Sequence, residues 1–98
     1  MKKIVLLCSQ GASTSILVQA MKKAAEEMQV ECEVNAYSIS MLNEVKDKAD
    51  MILLGPQIRF QESKVKQEES CPVKTIDMQM YGMMDGRAVM EMVCKELA

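Results

Sequence analysis

One thiol in this chain stands where chemistry is to be expected. The stretch Lys2-Lys3-Ile4-Val5-Leu6-Leu7-Cys8-Ser9-Gln10-Gly11-Ala12-Ser13-Thr14-Ser15 passes from an apolar run into a cysteine, then a small hydroxyl-rich loop with one glycine, then a helical pattern. That order brings the Cys8 thiol to backbone N–H groups and a helix N-terminus, which favour an anion, either a thiolate or a phosphate. The same field favours the thiolate and makes Cys8 a better nucleophile at neutral pH. A phosphocysteine formed there carries two negative charges, which N–H groups from Gln10 to Ser15, Ala12 included, could hold. Gly11 permits the close approach such a nest needs, and Ser9, Ser13, Thr14 and Ser15 add hydroxyl donors. The plainer alternative makes Cys8 a small hydrophobe ending a buried strand. The composition of the following loop favours a cysteine that accepts a phosphoryl group and passes it on.

Absences narrow the chemistry. Cysteine phosphatases use a C-x5-R loop whose arginine clamps the transferring group, and counted from Cys8 that slot falls on Thr14. The only arginines are Arg59 and Arg87; Arg59 is expected to be solvated at a helix start. No acid lies inside the loop to protonate a leaving alcohol, so the site is suited to holding a phosphoryl group and poorly suited to hydrolysing it. The chain has no histidine, which rules out an internal Ser-His-Asp or Cys-His pair and leaves any histidine chemistry to a partner. Cys8, Cys32, Cys71 and Cys94 are separated by 24, 39 and 23 positions with no C-x-x-C, so neither a metal site nor a cofactor is expected. Cys32, Cys71 and Cys94 read as strand filler, a pre-proline loop residue and a helix residue.

The elements that must position Cys8 follow from hydrophobic pattern. Lys2–Leu7 and Met51-Ile52-Leu53-Leu54 read as strands buried on both faces. Val30, Cys32, Val34 and Ala36 alternate with polar residues, and Val73-Lys74-Thr75-Ile76 is short and mixed, so both read as edge strands. A first helix, capped by Ser13 or Thr14, carries Ile16, Leu17, Ala20, Met21, Ala24, Ala25 and Met28 on its apolar face. Ser40 is expected to cap a short second helix through Leu42 and Val45. Residues 59–69 offer only Phe60 and Val65 to bury. Asp85 is expected to cap a last helix with Val89, Met92, Val93 and Leu97 inward.

Strand–helix alternation with short connections predicts an α/β fold: one domain over residues 1–98, an open four-stranded parallel sheet of order 2-1-3-4 with helices on both faces. Ligands of such sheets sit beyond the carboxyl ends of the strands at the switch point. Cys8 and Gly55-Pro56-Gln57 fall there, with Asp77 nearby, where a capping role for Asp77 is at least as good as a site role. Gln57 could orient the Cys8 loop or bond the phosphoryl group, and Pro56 fixes the turn. Met78, Met80, Met83 and Met84 lie in a loop-like stretch, for which core packing is favoured over a partner surface. With 98 residues, a net charge of −2 and three aromatic residues, nothing suggests nucleic-acid binding. The run Ile4–Leu7 is too short for a signal-peptide core or a membrane span, so a cytoplasmic protein with reduced thiols is expected.

The Ile4–Ser15 segment, taken with Leu53-Leu54-Gly55-Pro56-Gln57-Ile58, closely resembles the enzyme IIB component of the sugar phosphotransferase system, lactose/cellobiose (chitobiose) type. Asp77 through Gly86, with Tyr81-Gly82 and Asp85-Gly86, is similar to that family's stretch before its last helix. The resemblance implies a phosphotransferase in which Cys8 takes a phosphoryl group from a phosphohistidine on enzyme IIA. Cys8 would then donate it to a sugar, such as a β-linked disaccharide, bound in the membrane permease enzyme IIC. The polar stretch 59–72 and the frequent methionines depart from the family and bear on docking. The competing expectations are a small cysteine phosphatase or arsenate-reductase-like enzyme, and a non-catalytic anion-binding domain.

Overall fold

In a computed structural model, residues 2–8, 14–69 and 71–97 are described. Four strands, β1 (Lys2–Cys8), β2 (Cys32–Ser38), β3 (Met51–Leu54) and β4 (Val73–Thr75), form one parallel sheet in the order β2-β1-β3-β4. The predicted strand order is the observed one. Its cause is burial: Ile4–Leu7 and Met51–Leu54 are inside on both faces and must be central, whereas β2 and β4 each have wetter positions and take the edges.

Helices cover both faces. Helix α1 (Thr14–Glu27) and the last helix, α5 (Gly86–Leu97), pack on the side of Ile4 and Leu6. Helices α2 (Leu42–Val45) and α3 (Glu62–Glu68) lie on the side of Val5 and Leu7, each joined to 3-10 turns. Between β4 and α5 a five-residue helix, α4 (Met78–Gly82), replaces the predicted loop. Asp77 caps it, accepting the Gln79 N–H at 2.7 Å. Asp85 caps α5 as expected, its Oδ1 accepting the Ala88 N–H at 3.1 Å. Helix α1 ends in a left-handed residue, Gln29 (φ 59°), with Val30 N–H donating back to the Ala25 carbonyl at 2.8 Å.

Four local expectations are corrected. The second helical segment opens with a 3-10 turn over Ile39–Met41 capped by Ser38, not Ser40, because the Ser38 hydroxyl accepts the Ser40 N–H. Ile16 is exposed, and Leu17, Val18, Met21, Ala24 and Ala25 form the buried side of α1. Phe60 is exposed as well, leaving Val65 as the buried residue of α3. On α5 the fully buried positions are Gly86, Val89, Met90 and Val93, with Met92 and Leu97 partly covered. No helix among the described residues is long and apolar enough to cross a membrane.

Candidate functional site

Cys8 is the last residue of β1, at the carboxyl end of the sheet, between β2 and β3. It is only 4% exposed, and its Sγ lies 3.9 Å from the Tyr37 carbonyl oxygen, a distance at which the thiol donates weakly. Beside it, β3 ends at Leu54, and the Gly55 N–H donates to the Leu7 carbonyl at 2.9 Å. That bond carries the β1–β3 ladder one residue past the strands and holds the Gly55 backbone against Cys8. A Cβ on Gly55 would lie 3.7 Å from the Cys8 Cβ and 3.0 Å from the Gln57 Oε1. A side chain at 55 would touch Cys8 only at ordinary contact distance and would have to displace the end of Gln57, while the backbone there (φ −63°, ψ 150°) is open to any residue. Pro56 starts the 3-10 turn that brings Gln57 back over this gap.

Helix α1 starts at Thr14, six positions after Cys8, so its N-terminal end stands at the same edge of the sheet. Its fourteen residues align their peptide dipoles toward that edge. Ser15 lies exposed in the first turn. Ser9, Gln10, Gly11, Ala12 and Ser13, predicted to hold the phosphoryl group, lie outside the described residues.

The structure brings Cys8, Gly55, Gln57 and the start of α1 together. It turns Asp77 to capping α4. Arg59 donates from Nη1 to the Pro56 carbonyl at 3.2 Å, bonding back into its own turn, and Arg87 pairs with Glu91 at 3.4 Å on α5. Neither arginine is engaged with Cys8 in the manner of a phosphatase clamp. All four cysteines are thiols rather than disulfides. Burial pushes the Cys32 and Cys71 thiols up from their ordinary value, with Cys94 adding to the effect at Cys32 and Glu69 at Cys71. Both stay protonated at neutral pH. Among the described residues no group of three or more His, Cys, Asp or Glu side chains could hold a metal ion.

Core packing, the expectation for the four methionines of 78–84, fails at two of them: Met78 and Met83 stand out in solvent, while Met80 and Met84 pack partly against the core. The large exposed apolar side chains among the described residues are Ile16, Met41, Phe60, Met78 and Met83, with Phe60 at 74% exposure. Each lies on a segment that leaves the carboxyl end of a strand: Ile16 after β1, Met41 after β2, Phe60 after β3, and Met78 and Met83 after β4. Ile16 and Phe60 are thus apolar groups left in solvent on the segments that follow the two central strands. The available signal was isolation: Phe60 is the lone aromatic in a polar run, with few apolar neighbours at helical spacing to pack with.

Residues 3–92 match the family described as the PTS system, lactose/cellobiose specific IIB subunit. The oligo-beta-mannoside-specific EIIB component of Bacillus subtilis is 43% identical over 94 residues, covering 93% of this chain and 91% of that protein. The galactose-specific EIIB component of Lactococcus lactis is 38% identical over 97 residues, covering 91% of this chain and 90% of that one. In architecture, the chain is similar to the lactose-specific IIB domain of Streptococcus pneumoniae, with a TM-score of 0.87 at 17% identity, covering 99% and 98% of the two chains.

Proposed function

The chain belongs to the lactose/cellobiose-specific IIB family of the sugar phosphotransferase system, and from that membership we propose that Cys8 is its phosphoryl carrier. IIB components are phosphotransferases that act in sugar transport. In the proposed cycle the Cys8 thiolate attacks the phosphorus of a phosphohistidine on the cognate enzyme IIA. The N–P bond breaks, the S–P bond forms, and the imidazole takes up a proton. A hydroxyl of a sugar held in the membrane permease, enzyme IIC, then attacks the same phosphorus. The S–P bond breaks, the phosphate ester forms, and the hydroxyl proton returns to the departing thiolate. The loop Ser9–Ser15 supplies N–H and hydroxyl donors to the phosphoryl oxygens, and Gln57, across Gly55 from Cys8, orients the group. The sugar is a β-linked disaccharide or oligosaccharide, and the carrier works on the cytoplasmic side.

The observation that carries this is the placement of Cys8: the end of a central strand, 4% exposed, with the Gly55 backbone against it. A donor must insert its own side chain to reach such a sulfur, and this chain supplies no histidine of its own. A partner that docks over so buried a sulfur expels water from it, which protects a labile phosphoryl bond during transfer. The test is intact mass after incubation with phosphoenolpyruvate, the general phosphotransferase proteins and the enzyme IIA partner. A single adduct of about 80 Da is expected, absent in Cys8→Ser and retained in Cys32→Ser, Cys71→Ser and Cys94→Ser. No adduct with a phosphorylated donor would overturn the carrier role and favour turnover of free phosphomonoesters.

A further inference from the structure

We propose that Gly86, far from Cys8 in sequence, is a positioning residue for phosphoryl transfer, because its missing side chain sets where α1 ends relative to the thiol. This rests on the carrier role of Cys8 proposed above. A Cβ built on Gly86 would lie 2.5 Å from the Met21 backbone nitrogen and 2.6 Å from the Ala20 carbonyl oxygen, with the Ala20 carbonyl carbon closer still. Real Cβ contacts of that kind essentially never fall under 3.0 Å. The atoms met are main chain, so no rotamer change relieves them, and a methyl group would part the helices by roughly an ångström.

The start of α5 is held in place at this crossing. Gly86 is the first residue of α5, whose start is tied down by Asp85 N–H to the Met80 carbonyl at 2.9 Å, by Gly86 N–H to the Met84 carbonyl at 3.0 Å, and by the Asp85 cap. That segment leads back to β4 and β3, where the Ile76 N–H donates to the Leu54 carbonyl at 2.8 Å, one residue from Gly55. Leu17 and Met21 of α1 are fully buried in the same core cluster as Val89, Met90 and Val93 of α5, so the two helices move against each other only as packed bodies. With the start of α5 tied to the end of the sheet, added bulk at the crossing is taken up by α1, which tilts or slides. The contact lies six to seven residues from Thr14, about 10 Å along the helix axis, so a shift there reaches the first turn almost undiminished. A misplacement of about 1 Å in a reacting geometry costs up to about 100-fold in rate.

The experiment is single-turnover phosphorylation of Cys8 by its phosphorylated enzyme IIA donor, over a range of donor concentrations, in the wild type and in Gly86→Ala. Val65→Ala, on the opposite face of the sheet, serves as a stability-lowering control, and melting is followed for all proteins. Gly86→Ala is expected to lower the saturating transfer rate about 10- to 100-fold while leaving the half-saturating donor concentration unchanged, with Val65→Ala transferring at the wild-type rate. A purely structural glycine would lower melting and leave the saturating rate of the folded protein intact. Wild-type rate in Gly86→Ala, or an equal loss in Val65→Ala, overturns the proposal. Should Gly86→Ala fail to fold, Val89→Ala, one turn along the same buried side of α5, decides: a several-fold slowing at saturation upholds the proposal, an unchanged rate overturns it. A wild type that accepts no phosphoryl group overturns both this role and the carrier role, which separates the two failures.

Discussion

On one face of the sheet, Ile4 and Leu6 lie beneath α1 and α5, helices of fourteen and twelve residues. On the other, Val5 and Leu7 lie beneath α2 and α3, which have four and seven residues and run into 3-10 turns. This second cover leaves a cavity of about 330 Å3 beside β2, lined by Lys3, Val5, Tyr37, Met41 and Val45 among others. It also buries the Thr75 hydroxyl without a hydrogen-bond partner; strand alternation puts Thr75 on the same side as Val73. By the same alternation Cys8 projects with Ile4 and Leu6, toward the thicker face. The face under the long helices, toward which the nucleophile projects, has an opening of its own, about 200 Å3 lined by Cys32, Met90, Val93 and Cys94 among others, so the two faces differ in the length of their helices rather than in freedom from cavities.

The largest test of that contrast is a pair of truncations. Met21→Ala, under the long helices, is expected to cost about 3 kcal/mol, and Val65→Ala, under the short ones, about 1.5 kcal/mol, read from urea unfolding midpoints. Costs in the reverse order would break the comparison. Thr75→Val should go the other way: replacing an unpartnered buried hydroxyl with a methyl is expected to gain about 1 kcal/mol in the same measurement. A loss would mean that the hydroxyl is satisfied in solution and that this face is better built than its polar accounting says.

The smallest effect concerns alkaline pH, where each face contributes one thiol, Cys32 beside α5 and Cys71 beside α3. Both have folded values raised above the ordinary 9.0, chiefly by burial. The unfolded chain thus releases these protons first. Their contribution is intact below pH 9 and declines as pH climbs from 9 toward the folded values. Melting temperatures are expected to fall across that window, with Cys32→Ser and Cys71→Ser each flattening part of the fall. A decline unchanged in both variants would assign it to other groups.

Much of this architecture was legible in the sequence because the signals agreed. Continuous apolar runs at Ile4–Leu7 and Met51–Leu54, against alternation at Cys32–Ala36, leave little freedom in strand order. Asp77 and Asp85 sat where caps belong. Helix α4 was not legible, since five residues rich in methionine show no period. Ser38 and Ser40 stand two apart, and only the hydroxyl geometry chooses between them. Ile16 and Phe60 were misplaced for a shared reason: helical periodicity assigns a side chain to a direction, but beyond the carboxyl edge of the sheet that direction holds nothing to pack on. The role of Gly86 was hidden differently, because a close approach between two backbones has no sequence signature beyond the glycine itself.

The strand that ends in Cys8 carries a hazard for the chain while it is being made. Its two neighbours are not reached until Cys32–Ser38 and Met51–Leu54 have emerged. Until then Ile4-Val5-Leu6-Leu7 is a bare, β-prone apolar segment, able to pair with its copy on another nascent chain. Lys2 and Lys3 stand directly before it and remain exposed in the finished fold. In two such strands stacked in register these charges would face one another, so the paired lysines act as gatekeepers during synthesis.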